Sequence, residues 1–187
     1  MASILSHVTS LAPVAAAEPA DAELAAAGDV SAFGRLVTLH HADLARVAYV
    51  VTGDASLAED AVQSAWLTCW ARLPSLREPS RVRPWLFAIA INEARQIVRR
   101  RRRFAAIELD PNTPASASVD PAAGIARLDL VRALATLAPD DRALLALRYV
   151  AGLDAVELGA AMGRSASGTR ARLSRLTARL RRELDDV

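Results

Sequence analysis

The apolar residues of this chain fall into stretches of helical repeat, separated by stretches with none. Asp21 to Ala27 allows a short helical turn before Gly28. Asp29 or Ser31 can cap the next helix, in which Phe33, Leu36 and Val37 face inward as far as about Leu39. Ala42 to about Thr52 is a second apolar helix, stopped by Gly53. Ser56-Leu57-Ala58-Glu59 has capping-box spacing and opens a third helix that runs to Leu73. Its inward stripe is Ala58, Val62, Ala65, Cys69 and Leu73, while Asp60, Gln63, Ser64 and Leu67 point elsewhere. After a loop from Pro74 to Arg83, Pro84 suits the first turn of another helix. There Leu86, Ile89, Ala90, Ala94 and Ile97 mark the buried side, opposite Trp85, Ala88, Asn92, Gln96 and Arg99.

From Phe104 to about Gly124 the periodicity is lost. Pro111, Pro114 and Pro121 with Asn112, Thr113, Ser116 and Ser118 predict a flexible linker, mildly acidic through Glu108, Asp110 and Asp120. Four helices follow. The first covers Ile125 to Leu137; the second opens at Pro139-Asp140-Asp141 and stops near Gly152. A short third begins at Asp154-Ala155-Val156-Glu157 and ends at Met162-Gly163; Ser165 then caps a long fourth to about Leu184. Thr169, Leu173, Leu176 and Leu180 are its inner stripe. A short helix, a glycine turn and a longer arginine-studded helix predict a helix-turn-helix. The fold expected is all-α: a tail over residues 1–20, a helical domain over 21–103, a linker over 104–124 and a second helical domain over 125–187.

Composition sharpens this outline. Apolar residues make up 52% and aromatics only 4%, so cores of Ala, Leu and Val favour helices. All 23 basic residues are arginine. Net charge is only +2, yet Arg95 to Arg103 holds six arginines and Arg164 to Arg182 seven, with no acid in either segment. Such clustering is the footprint of a nucleic-acid binder. The one cysteine, Cys69, excludes a disulfide framework and reads as a buried, inert thiol. No apolar run is long enough to span a bilayer, and the Ala-rich start lacks the basic residues of a signal peptide. No catalytic carboxylate pair, no Ser/His/Asp set and no phosphate-binding glycine loop is evident, and His7, His40 and His41 lack metal-ligand partners at useful spacing. Neither a cofactor nor a metal is expected.

Three faces invite partners. On the helix from Pro84, an aromatic ring, two amides and then five adjacent arginines suit single-stranded nucleic acid, where rings stack bases and guanidiniums hold phosphates. The plainer reading is a core helix with a solvated basic end. Trp66 and Trp70, four apart on the third helix, share a flank rimmed by Asp60 and Gln63. They read either as core or as a protein-interface anchor. On the last helix Ser167, Arg170, Ala171, Ser174, Arg175 and Ala178 face outward, and serines and arginines near a helix N-terminus suit base edges and phosphates in a major groove.

Together these residues resemble the extracytoplasmic-function group of bacterial sigma factors, over about Asp29 to Arg103 and Ala126 to Leu184. Leu57-Ala58-Glu59-Asp60-Ala61-Val62-Gln63, with Trp66-Leu67 and Trp70, resembles the helix by which that family grips the clamp helices of RNA polymerase. Arg83-Pro84-Trp85-Leu86, Ile89-Ala90, Asn92 and the arginines resemble the segment that opens and reads the minus-ten element. Leu144 to Gly152, with Leu147-Arg148-Tyr149 inside it, resembles the family's penultimate domain motif, and Glu157-Leu158 through Met162-Gly163 followed by Arg172-Leu173 and Arg175 resembles the helix-turn-helix that reads the minus-thirty-five element. Two departures stand out. Ser64 sits where the family commonly has an acid, and the family's Gly-Thr-Val step appears shifted as Ser167-Gly168-Thr169.

The resemblance implies a cytoplasmic, non-enzymatic subunit that directs polymerase core to promoters and promotes opening. Its partners would be the beta and beta-prime subunits, promoter DNA and an anti-sigma factor, without membrane insertion. Polymerase binding falls to Glu59, Asp60, Gln63, Ser64, Trp66 and Trp70. Minus-ten binding falls to Arg77, Ser80, Arg81, Arg83, Trp85, Asn92, Gln96, Arg99 and Arg100. Minus-thirty-five binding falls to Arg164, Ser165, Ser167, Arg170, Ala171, Arg172 and Arg175. Two other classes fit the residues alone: a helix-turn-helix repressor or activator acting without polymerase, and a helical adaptor whose arginines bind acidic protein.

Overall fold

A computed structural model describes residues 18–107, 130 and 132–185. Most of the stretch read as a tail, most of that read as a linker, and the start of the helix expected at Ile125 lie outside the described residues. Among the described residues all regular structure is helical: α1 (Glu18–Ala26), α2 (Val30–Thr52), α3 (Ala55–Arg72), α4 (Val82–Ile107), α5 (Pro139–Tyr149), α6 (Ala155–Met162) and α7 (Ala166–Asp185). Two short 3-10 turns, Leu73–Ser75 and Pro79–Arg81, bridge α3 to α4.

Several boundaries differ from the sequence pattern: α1 already begins at Glu18, in the stretch read as a tail, and α4 at Val82, in the stretch read as a loop. The two apolar helices expected on either side of His40-His41 are one, α2, because His40 takes a core position, 3% exposed, between Leu36 and Leu44. No glycine or proline interrupts the repeat there. Asp29 caps α2 by accepting from the Ala32 N–H at 3.0 Å. α3 starts two residues earlier than its expected capping box: Asp54, not Ser56, is the cap and accepts from the Leu57 N–H at 3.0 Å. α4 continues to Ile107, into the stretch read as linker.

α2, α3 and α4 pack on one another, with α1 laid across α2. The expected inward face of α4 is buried at Leu86, Ile89, Ala90 and Ala94, but so are Phe87, Ile91 and Val98. A helix apolar nearly all round is covered on more than one side. α4 meets α2 and α3 on one side and α5 and α6 on another. Full burial of a side chain such as Phe87 stabilises the fold by about 1.5–3 kcal/mol.

The second helical unit closes as its sequence predicts. Asp154 caps α6 with a reciprocal capping box, accepting from the Glu157 N–H while the Glu157 carboxylate accepts from the Asp154 N–H at 2.8 Å. Gly163, with φ of 64°, ends α6 in the left-handed region that favours glycine. Ser165 Oγ accepts from the Gly168 N–H at 3.2 Å at the start of α7. α6 and α7 thus form a helix-turn-helix resting on α5. The two units also abut: α5 packs on α2, and buried residues of both belong to one contiguous core.

Candidate nucleic-acid interface

The third helix separates the two tryptophans expected to act together. Trp66 is buried at 9% exposure; its indole N–H donates to His41 Nδ1 at 3.3 Å and its ring meets Phe33 edge-on at 5.6 Å. Trp70 leans on the same Phe33 at 4.9 Å but stays 39% exposed. The bland reading therefore describes Trp66, and the partner-surface reading keeps Trp70. Asp60 and Gln63 are exposed, Glu59 and Ser64 half-buried. Leu67, turned outward by its spacing but not counted among the polymerase-binding residues, is 74% exposed. Its signal was the spacing: Asp60, Gln63, Leu67 and Trp70 follow the three-and-four rhythm of one helix face. An exposed leucine beside an exposed indole is an apolar patch framed by polar groups, the usual make-up of a protein contact.

The loop and α4 carry the minus-ten candidates, and the structure sorts them. Arg77 and Ser80 are exposed; Arg81 pairs with Glu78 at 2.8 Å. Asn92, Gln96, Arg99 and Arg100 are exposed on the outer side of α4. Asn92, Gln96 and Arg99 line a polar cleft of about 400 Å³ together with Ile89, Glu93 and, from α3, Thr68 and Arg72. Those last two were not legible as site residues, because only packing brings the end of α3 beside α4. Arg83 and Trp85 are half-buried. Arg83 donates to the Ala151 carbonyl and lies over the Phe87 ring, 5.3 Å from its centre. Arg99 to Arg103 are all exposed, with Arg101 3.8 Å from Asp54.

On α7 the buried stripe is Thr169, Leu176 and Leu180, with Leu173 half-buried. Arg164, Ser165, Ser167, Arg170, Ala171, Ser174 and Arg175 are exposed. Arg172, also among the minus-thirty-five candidates, is half-buried: its Nε donates to Asp141 Oδ1 at 2.6 Å, which ties α7 to α5.

Two buried groups are electrostatically quiet. Burial pushes the Cys69 thiol up to about 12, so it stays protonated and unreactive. Burial, and then the Arg83 charge, lower His40 to about 4, so it is neutral at pH 7. Among the described residues no cluster of three metal-ligating side chains occurs, and no helix is long and apolar enough to cross a membrane.

The family model described as Sigma-70 region 2 matches residues 36–104, and that described as Sigma-70, region 4 matches residues 127–180. The chain is 33% identical over 171 residues to the "Probable RNA polymerase sigma factor RfaY" of Xanthomonas campestris pv. campestris, covering 86% of this chain but only 42% of that relative's length. It is 30% identical over 168 residues to the "ECF RNA polymerase sigma factor SigL" of Mycobacterium tuberculosis, covering 87% of this chain and 94% of that one. Among solved structures, CnrH in complex with the cytosolic domain of CnrY superposes with a TM-score of 0.70 and 30% identity, covering 91% of this chain and 98% of that chain.

Proposed function

The chain belongs to the extracytoplasmic-function sigma factors, which direct RNA polymerase to specific promoters, and from that premise we propose how its residues divide the task. Residues 21–103 form the polymerase-docking and minus-ten unit, residues 125–187 the minus-thirty-five unit, and 104–124 the tether. The exposed row Asp60, Gln63, Leu67 and Trp70 meets the polymerase clamp, and Trp66 holds that row in place from below. Trp85 stacks on an unstacked non-template base, while Asn92, Gln96 and Arg99, with Arg72 across the cleft, hold its neighbours. Arg100 to Arg103 grip upstream phosphates without reading sequence. Ser167, Arg170 and Arg175 of α7 enter the major groove at the upstream element.

The protein works in the cytoplasm and catalyses no reaction of its own; polymerase supplies the chemistry. CnrH forms a complex with the cytosolic domain of CnrY, and an anti-sigma protein binds this chain in the same way. The observation that carries the reading is the order of exposed faces within the two matched regions: an apolar-polar row on α3, a polar cleft on α4, an open basic face on α7.

Run-off transcription with purified core, followed by selection of the promoters used, tests it. Initiation at a two-part promoter is the expected result. Binding of duplex without core would instead point to a repressor. The tryptophans give a second check. Trp70→Ala should weaken core binding about tenfold at unchanged stability, whereas Trp66→Ala should cost about 3 kcal/mol of stability. Equal effects of the two on both measurements would sink the division of roles.

A further inference from the structure

A cavity of about 580 Å³ lies where the end of α2 and the start of α3 meet α5 and residues 130–135. That volume is in the range of small-molecule sites. Its wall is mostly apolar, with Ala45, Tyr49, Val50, Leu134 and Val150 in it. Of the described residues lining it, only Glu59 belongs to the faces assigned to polymerase or promoter DNA.

Arg142 of α5 also lines the cavity. It is 8% exposed, and its Nε has no hydrogen-bond partner. A Cβ added at Gly53 would stand 3.8 Å from Arg142 Nη1, so the guanidinium sits against the end of α2. The carbonyl end of that helix offers a partial negative charge, less than a full counter-ion. The charged groups nearby do not complete the balance. Glu59, the acid among the described lining residues, accepts from the Gln63 amide at 3.4 Å and lies 3.8 Å from His41. Arg46 pairs with Asp43 at 2.6 Å. Burial, and then the Arg102 charge, lower the pKa of Arg142 below the ordinary arginine value. Buried charges are normally paired, and a methionine would fill the same place without the cost of desolvating one.

We propose that this cavity binds a small amphipathic carboxylate, a molecule with one carboxyl group and an apolar body. The carboxylate accepts N–H bonds from Arg142, and the apolar body lies against Tyr49, Val50, Leu134 and Val150. One guanidinium in an apolar wall balances one negative charge. That selects a carboxylate over a phosphate, which carries about two charges and needs more donors. Because the ligand touches residues of both units, its binding stabilises the folded chain.

Octanoate and octanol share an apolar chain and differ in charge, so both are titrated calorimetrically into the full chain. Octanoate should bind about tenfold tighter than octanol, the strength of one charge-assisted hydrogen-bonded contact, and should raise the melting temperature. Arg142→Met removes the charge at similar volume. It should lower octanoate affinity about tenfold and leave octanol affinity unchanged. Ala45→Phe fills the cavity from α2 and keeps the arginine. It should abolish binding of both probes, and it carries the test if Arg142→Met fails to fold. The inference is overturned if octanoate does not bind, if it binds no tighter than octanol, or if either variant binds it like the wild type. Binding of octanoate only after Glu108→Gln, Asp110→Asn and Asp120→Asn would also overturn it, because the chain's own acids would then be the partners of Arg142. Run-off transcription is not among the readouts, so the result stands whether or not the chain acts at promoters.

Discussion

α4 and α7 carry the two arginine clusters of the chain, yet they use arginine in different ways. α4 packs against five other helices, and two of its arginines, Arg83 and Arg95, are taken up by bonds to the second unit. α7 buries a single stripe on α5 and α6 and leaves Arg170 and Arg175, like Arg164 in the turn before it, in solvent. A positive cluster in a sequence is therefore not yet a binding face. What decides is how many sides of the helix are covered, and that depends on residues far away in the chain.

The largest effect expected from this difference is on stability. Phe87→Ala empties a fully buried site where α2 and α4 meet, and should destabilise the chain by about 4 kcal/mol in denaturant unfolding. Because the core is contiguous, it should loosen both units in one transition. Leu180→Ala, near the free end of α7, should cost about 2 kcal/mol and leave the first unit intact. Two separate transitions for Phe87→Ala would contradict the shared core.

A pH dependence comes next, from the interior of the same region. His40 is packed against Phe87 at 6.3 Å and beside Glu18, whose carboxylate lies 3.6 Å away, with Arg83 and Asp43 also acting on it. Unfolded, it takes its proton near its ordinary value of 6.5; folded, only at about 4. Between those values the unfolded chain binds more protons, so stability falls as pH drops through the window. At about 1.4 kcal/mol per pH unit, the loss approaches about 3 kcal/mol by pH 4. Glu18, raised by burial, partly opposes it at the acid end. Thermal melts between pH 7 and 4 should show the fall, and His40→Leu should flatten it. α7 has no comparable group.

Gly159 tests the turn that aims α7. The chain folds back over this helical position so closely that an added Cβ would meet the Arg164 carbonyl oxygen at 2.7 Å. Gly159→Ala should push the turn apart at a cost of about 1–3 kcal/mol. Duplex binding at the upstream element should weaken, while core binding through α3 stays. Loss of both would mean that the units are more tightly coupled than their shared core requires.

Much of this was legible beforehand where one helix could be read alone. The inner stripe of α7, the capping box of α6 and the outward Asn92 and Gln96 all follow from local period and cap chemistry. The failures arise where two elements meet. His40 fell between two expected helices but sits in the core of a single one. Phe87 and Ile91 fell off the expected inward face because a second partner covers α4. Arg72 and Thr68 belong to the polar cleft only through packing, and the bond of Arg172 to Asp141 joins residues thirty-one positions apart in sequence.

The finest test separates two arginines two positions apart on α7. Arg170 is exposed, whereas Arg172 is half-buried and bonded to Asp141. Arg170→Ala should lower affinity for upstream-element duplex by about 1 kcal/mol, roughly fivefold, and reduce the salt slope of binding by about one if the contact is to phosphate. It should not change stability. Arg172→Ala should do the reverse: it leaves Asp141 without its partner, lowers stability by about 1 kcal/mol and keeps the salt slope. A salt slope that falls equally in both variants would return Arg172 to the DNA surface, and would mean that its bond to Asp141 gives way when the helix enters the groove.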